Sequence, residues 1–344
     1  MRNVLIVFVF LFFITGANAQ VFYNDTRSDV EFNTRREREN KERIRNNHIR
    51  SVRTFSYKAD TTSSTGEGFL SSEMNYDDQG NLTEYRIYRK NGRIRYHYAY
   101  QWDDSGRCLE FKQLRSDGSN KYREVSVFDA QGNQTDARTY GRTSLFSKKE
   151  KLWYHNTARF DDKQNMLEQA FYLDVNDKKL FDRYVYSYYE DGSKKQTIQY
   201  NKRGKARHIW NYDCNPAGVA EDKNFKDTSQ ICIRYETDKD GNKIKVRDEN
   251  VKYGKVVRII HKYDTRDNVL EEISYDKKGG ARFHSVSAYD EKNNLTRHTS
   301  YRRYSSRVSK MQEYRYDPAG NMVEVISYKE SPVANRITKF TYGN

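Results

Sequence analysis

The chain has little of what a thick hydrophobic core requires. Only 35% of its 344 residues are hydrophobic, against roughly 45–50% in ordinary soluble domains. Mean hydropathy is −1.09, and no segment beyond residue 14 is apolar enough to cross a bilayer, which takes about 20 residues. These deficits disfavour a single large core and exclude a bundle of membrane-spanning helices.

Proline and cysteine are also scarce. Three prolines argue against disorder over most of the length, and three cysteines leave at least one unpaired in an exported protein. Cys214 and Cys232 flank an irregular stretch, 215–230, where a disulfide would contribute about 3 kcal/mol in the chain-entropy account. The sequence leaves this pairing open. Cys108 stands where neighbouring repeats have Leu or Met, which predicts a small core residue.

Signatures of catalysis and metal binding are missing from the sequence. None of the seven histidines has another His or Cys at metal-ligand spacing, and no G-x-S-x-G, H-E-x-x-H, P-loop or G-x-G-x-x-G motif occurs. We therefore predict no catalytic residues, no metal, no cofactor and no enzymatic activity. A secreted hydrolase is kept as an alternative, because 48 acidic residues always include pairs at the separation of about 5–10 Å that glycosidases use.

Residues 1–19 have the pattern of a secretory signal. Arg2 precedes an apolar run, Val4 to Ile14, and Ala17-Asn18-Ala19 forms a small-x-small cleavage site before Gln20. We expect cleavage between Ala19 and Gln20 and a mature chain without a transmembrane segment. The expected location is secreted, periplasmic or at the cell surface.

Residues 20–50 form a polar, basic segment that we predict to be helical. Ser28 to Glu31 has the pattern of a capping box, and Glu37/Lys41 and Glu39/Arg43 are favourable i,i+4 pairs. Such a helix would cap the first repeat or form a loose leader, with binding to an anionic surface as the alternative. The rest of the chain, 51–344, is assigned to one repeat domain.

Tyrosine is abundant, with 29 residues, and much of it lies in a repeat of about 26 residues. A turn pair such as Gly80-Asn81 follows seven of the repeat aromatics, and a second turn lies about halfway along the unit. Gly and Asn tolerate positive φ, so both segments predict tight turns between strands. The recurring ring-plus-acid positions are Tyr76-Asp77, Trp102-Asp103, Phe128-Asp129, Phe160-Asp161, Tyr188 (followed by Tyr189-Glu190), Tyr212-Asp213, Tyr235-Glu236, Tyr263-Asp264, Tyr289-Asp290 and Tyr316-Asp317.

These features predict an all-β protein. The expected architecture is an elongated or curled antiparallel sheet of about ten tandem two-stranded repeats, preceded by the short helical segment. The acid after each aromatic is expected to accept hydrogen bonds from turn amides, because ten equivalent acids cannot all be catalytic.

The Y-D-x-x-G-N element, intact at 76–81 and 316–321, resembles the YD repeats of Rhs-type bacterial proteins and teneurins. The resemblance covers residues 76–342. It implies a long antiparallel sheet that spirals or curls as hairpins are added, which in large members closes into a shell around a toxin or another domain. This chain has a longer repeat unit and looks short for enclosing cargo, and we expect no separate effector domain, so it resembles a short secreted type.

Alternating aromatic residues mark one face of two strands. Tyr96, Tyr98, Tyr100 and Trp102 follow each other at period two, and Trp210 lies in a similar row. Packing within the sheet is the first interpretation of these rings. Contact with a ligand is the second.

The net charge of +14 favours anionic partners, although Lys and Arg are scattered and could serve solubility alone. We predict a secreted, non-enzymatic scaffold that binds an anionic glycan, a cell-envelope component or a protein. No specific nucleic-acid module is present. An accessory or remnant of an Rhs-like toxin or adhesion system is the alternative function, and the oligomeric state is open.

Overall fold

The computed structural model describes residues 27–60, 63–142, 150–173, 180–214, 228–250, 257–331 and 333–343. The signal sequence expected at 1–19 lies outside these ranges. Helix α1 (Arg27–Asn46) is followed by strands β1 to β21. Their bounds are Ser51–Asp60, Ser63–Tyr76, Leu82–Tyr88, Ile94–Trp102, Cys108–Leu114, Asn120–Phe128, Gln134–Arg142, Glu150–Phe160, Met166–Tyr172, Leu180–Tyr188, Lys194–Asn201, Ala206–Tyr212, Thr228–Thr237, Lys243–Asn250, Arg258–Tyr263, Val269–Tyr275, Ala281–Tyr289, Leu295–Tyr301, Val308–Tyr316, Met322–Lys329 and Ala334–Gly343.

The turns after the repeat aromatics share one hydrogen-bond pattern. In the first, Asp77 N–H donates to the Asn81 carbonyl at 3.0 Å, and the Asp77 carboxylate accepts from the backbone N–H groups of Gln79 and Asn81 and from the Asn81 side-chain amide. Gly80 has φ +78°, which explains the glycine at that position. The prediction that the acids cap turns is confirmed here and in the equivalent turns that begin at Asp129, Asp161, Asp264, Asp290 and Asp317.

One of the predicted repeat positions is wrong by two residues, and a second unit has no acid at the capping position. The turn after β13 begins at Asp238, whose carboxylate accepts from Asn242 N–H, so Glu236 is not the capping acid. After β10, Tyr189 takes the place of the acid, because its N–H donates to the Ser193 carbonyl. Sequence spacing alone misplaced the unit at Tyr235, since Glu236 is an acid only two residues from Asp238.

The repeat aromatics also connect neighbouring units. The Trp102 indole N–H donates to the Leu82 carbonyl at 2.7 Å, and the Tyr342 hydroxyl donates to the Met322 carbonyl at 2.7 Å. Tyr188, Tyr289 and Tyr316 repeat this contact. Each bond joins the end of one strand to the start of the strand that precedes it, so the aromatic helps to hold paired strands in register.

The prediction of an elongated or curled open sheet is wrong, because the sheet closes into a barrel. Strand β1 pairs antiparallel with β21 from Ser51 opposite Gly343 to Lys58 opposite Arg336. All twenty-one strands therefore belong to one closed ring. The repeat pattern is local and is the same in an open and a closed sheet, so it could not reveal a pairing between the two ends of the domain.

A closed ring of antiparallel pairs requires an even number of strands, and this ring has an odd number. One pair must run parallel, and that pair is β12–β13, with Ile209 opposite Thr228 and Tyr212 opposite Ile231. A disulfide between Cys214 and Cys232 joins the end of β12 to β13. It links the two strands at the one place where the hairpin order is interrupted.

The seam between β1 and β21 is packed on both sides of the sheet. On one side, Ile44 in the last turn of α1 and Ile49 in the linker after it pack with Val52, and Tyr342 lies against them. On the other side, a second cluster is built from Ala59, Ile326, Tyr328, Ala334 and Ile337. These two clusters bury apolar surface where the terminal strands meet.

Helix α1 ends against the turns that carry the capping aspartates. The Arg43 guanidinium donates to the Gly320 carbonyl at 2.8 Å, and the Asn47 amide donates to the Asn321 side chain at 3.1 Å. The Lys41 carbonyl lies so close to Gly80 that a Cβ there would be 2.5 Å away. The last part of the helix therefore lies against turns of both the first and the last repeat.

The disulfide should stabilise the barrel through the closed loop of 18 residues in sequence. We expect Cys214→Ser with Cys232→Ser to lower the free energy of unfolding by about 3 kcal/mol, measured by urea denaturation. Reductant should have the same effect on the wild type. The variant Cys108→Ser should keep its sensitivity to reductant, and a wild type that reductant does not destabilise would contradict the expectation.

The capping aspartates should make stability depend on acid pH. The hydrogen bond from the Asn165 side chain holds the pKa of Asp161 below its ordinary value of 3.8. A lowered folded-state pKa means that the unfolded chain binds more protons, so this stabilisation is present above pH 3.8 and is lost as pH falls through the folded-state pKa.

We therefore expect Asp161→Asn to reduce the drop in Tm between pH 6 and pH 2.5, measured by circular dichroism. Asp162→Asn is the matched control, because this neighbouring carboxylate is exposed. Equal pH profiles for the two variants would count against the cap as the cause.

Candidate functional site

The predicted aromatic row lies on one face of β4, here called the tyrosine face, which also carries Tyr85 opposite Tyr98. The Tyr96 and Tyr98 ring centroids are 6.1 Å apart, and Phe111 lies 5.8 Å from Tyr98 and 5.2 Å from Tyr100. The rings therefore pack against one another over much of their surface.

Burial differs along this row. Tyr100 is only 7% exposed, and desolvation raises its pKa above the ordinary value. Desolvation also raises the pKa of Tyr98, to about 12. The Trp102 indole N–H donates a hydrogen bond to the Leu82 carbonyl. These contacts fit a packing role for the rings, and a role in ligand contact stays a prediction.

Trp210 lies on the same face, far along the barrel wall. Its ring centroid is 4.0 Å from that of His208 and 6.4 Å from that of Tyr184. His208 Nε2 in turn lies 2.8 Å from Ser229 Oγ. The structure does not bring Trp210 together with the row on β4.

The opposite face, here called the charged face, carries ion pairs that the sequence reasoning missed. Glu84 and His97 are 2.6 Å apart, Glu110 and Arg123 3.2 Å, and Glu271 and His284 2.7 Å. Each acid lies three residues after its turn and precedes its partner by 13 residues, which is the signal that could have revealed them. Partly exposed pairs of this kind contribute at most about 1 kcal/mol each.

The two ends of the barrel differ in charge. The turns that follow the repeat aromatics all lie at one end, here called the aspartate end, because consecutive strands alternate in direction. Nine such turns contain sixteen Asp or Glu and five Lys or Arg. They span 77–81, 103–107, 129–133, 161–165, 189–193, 238–242, 264–268, 290–294 and 317–321.

The second turn of each unit lies at the opposite end, here called the basic end. Five turns there are described and closed by backbone hydrogen bonds: 89–93, 115–119, 201–205, 276–280 and 302–307. They contain twelve Lys or Arg and two acids. Eleven of these cations are exposed: Arg89, Lys90, Arg93, Lys202, Arg203, Lys205, Lys277, Lys278, Arg302, Arg303 and Arg307.

The two acids in these five turns are engaged within the protein. Asp117 accepts from Ser119 N–H, and Asp276 accepts from Gly280 N–H and from the Tyr304 hydroxyl. Arg302 pairs with Glu330 of the next hairpin. The basic end therefore has a large excess of positive charge directed at solvent.

Exposed apolar side chains are concentrated at the same end. Eight of the eleven large hydrophobic residues that are exposed within the described ranges lie in these turns, directly before β21, or in the first five residues of strands that start at this end. They are Ile94, Trp153, Tyr154, Phe181, Phe283, Tyr304, Val308 and Val333.

Two of these rings are held against glycines of the neighbouring strand or turn. A Cβ on Gly141 would lie 2.3 Å from the Trp153 ring, and one on Gly280 would lie 2.7 Å from the Tyr304 ring. The glycines thus let the rings contact the backbone directly. Trp153 is 37% exposed and Tyr304 54%, so both rings keep a fixed place and an exposed surface.

Other kinds of site were sought in the part of the chain that the structure describes. No three His, Cys, Asp or Glu side chains there converge as a metal site. A shallow depression of about 480 Å³ lies at the aspartate end between Arg50, Asp78 and Asp104. In the same ranges, no helix has the length and apolar character needed to cross a bilayer.

No protein-family model and no curated protein matches this chain. Among solved structures it is similar to a porin-like protein from Bacteroides uniformis, with 9% identity, a TM-score of 0.33 and coverage of 86% of this chain and 96% of that one. It is also similar to a porin-like protein from Bacteroides vulgatus, with 8% identity, a TM-score of 0.28 and coverage of 86% and 98%.

A third similar structure is the Photorhabdus luminescens Tc holotoxin pore, with 11% identity and a TM-score of 0.22. It covers 85% of this chain, which spans 18% of that one. Similarities this distant carry no functional argument, and the resemblance to YD repeats stays a prediction.

Proposed function

We propose that this chain is an exported, non-enzymatic binding protein of the cell envelope that holds an anionic component at its basic end. The observation that supports the proposal is the charge of the five basic-end turns, twelve cations against two acids. Export is supported by the signal pattern of residues 1–19.

The arrangement of the cations suits a partner with many negative charges. Neighbouring hairpins present short clusters such as Lys277-Lys278 and Arg302-Arg303, which are exposed at the same end of one closed ring. Charges collected on one surface add their potentials and attract counter-charged partners over distances of about 10 Å at moderate salt. A chain with its cations evenly spread would have no such preferred side.

The charge of the aspartate end also favours binding of an anionic partner at the basic end. The turns of the aspartate end carry a net negative charge, and part of that charge faces a basic residue of the chain's own linker, as in the ion pair of Arg50 with Asp78. Anionic partners are therefore repelled from the aspartate end, which orients the barrel on its ligand.

Binding of a soluble polyanion tests this function. We expect the protein to bind fluorescent dextran sulfate and not neutral dextran, with affinity that falls as salt increases, measured by fluorescence anisotropy. The variant Lys202→Gln with Lys278→Gln should bind several-fold more weakly, because it removes two exposed cations from the basic end.

The matched control is Lys163→Gln with Lys239→Gln, which makes the same chemical change at the aspartate end, where both lysines are exposed. We expect it to bind as the wild type does. Equal losses in the two double variants would show that net charge, rather than the basic end, determines binding, and the proposal would then fail.

A further inference from the structure

The chemistry of the basic end narrows the class of anionic partner. We infer that this end docks on the surface of an anionic lipid bilayer, an inference that rests on the function proposed above and names its partner. A soluble polyanion would be recognised by cations alone. The basic end presents cations and exposed apolar side chains together.

Cations and apolar residues alternate there at the level of single positions. Ile94 is 42% exposed and stands between the exposed Arg93 and Arg95, and Val308, 40% exposed, directly follows Arg307. An exposed aliphatic side chain between two guanidinium groups gains nothing from a hydrated anion. It gains from a surface that has acyl chains just beneath its phosphates.

The aromatic residues at this end are of the types that suit a membrane interface. The rings of Trp153, Tyr154 and Tyr304 each combine an apolar body with a polar group, and such rings favour the region between headgroups and acyl chains. Phe181 and Phe283 add purely apolar rings that are 51% and 42% exposed.

The rigidity of two rings lowers the entropic cost of docking. Trp153 contacts Gly141 and Tyr304 contacts Gly280, and the Tyr304 hydroxyl donates to Asp276 at 2.8 Å. Side chains that are already ordered lose little freedom when a surface covers them. The aspartate end offers few exposed large apolar residues among those described, namely Val127, Tyr189 and Tyr235, so the two ends differ in apolar character as well as in charge.

Vesicle binding tests the inference. We expect the protein to sediment with vesicles of equal parts phosphatidylglycerol and phosphatidylcholine and to leave pure phosphatidylcholine vesicles unbound. Each cation near an anionic membrane contributes roughly fivefold in affinity. Lys202→Gln with Lys278→Gln should therefore bind at least about tenfold more weakly, and Lys163→Gln with Lys239→Gln should match the wild type.

A second pair of variants tests the contribution of exposed apolar residues to vesicle binding. Phe181→Ser should weaken vesicle binding by roughly fivefold, because it removes an inserted ring, without changing the affinity for dextran sulfate. Tyr235→Ser is the control at the aspartate end, since Tyr235 is 54% exposed, and should leave vesicle binding unchanged.

Tryptophan emission reports the contact directly. Vesicles should shift the emission to shorter wavelength in the wild type, and Trp153→Phe should remove the shift. Circular dichroism of each variant verifies that the barrel is folded. These readings together would support docking through the basic end.

The possible outcomes separate the inference from the proposed function. Binding to dextran sulfate without binding to anionic vesicles would overturn the lipid inference and leave the proposed function standing. Equal binding to both kinds of vesicle, or an unchanged emission of Trp153, would also overturn docking by charge through this end. Binding to neither dextran sulfate nor vesicles would overturn both.

Discussion

Alternation of strand direction in a closed ring is the constraint on which the rest of this molecule depends. Each unit has two turns, and the alternation sends the first to one end of the barrel and the second to the other. Any difference in composition between the two kinds of turn is therefore collected from the whole chain onto opposite ends. The first kind contains aspartates and the second contains Lys and Arg, so charges scattered along the sequence become two separate surfaces.

Closure depends on the places where this regular pattern is broken or completed. An odd number of strands allows closure only with a parallel pair, which β12 and β13 supply and the Cys214–Cys232 disulfide joins. The seam between β1 and β21 is the other such place. There the end of helix α1 packs on one face, and the cluster around Ile326 and Ile337 packs on the other. Much of the hydrophobic burial of an otherwise thin wall is thus placed where the ring closes.

The residues that recur in the sequence repeat have structural roles in this barrel. The repeat aspartates accept turn amides, as Asp77 does from Asn81, and the repeat aromatics bond to carbonyls of the preceding unit, as Trp102 does to Leu82. The exposed apolar residues of the basic end lie at positions outside the repeat motif. Ile94, Phe181 and Tyr304 belong to no motif, and they acquire a common role only because the fold brings them to one end.

The sequence by itself determined the β-hairpin unit, the turn chemistry and the helical nature of the segment before it, because these are set by residues within a few positions of one another. It left open the Cys214–Cys232 pair that the structure contains. The closed ring, the parallel pair and the separation of charge into two ends were decided by tertiary structure alone. Each depends on pairing between distant strands, such as Val52 with Tyr342, and no local pattern encodes which strand will meet the first.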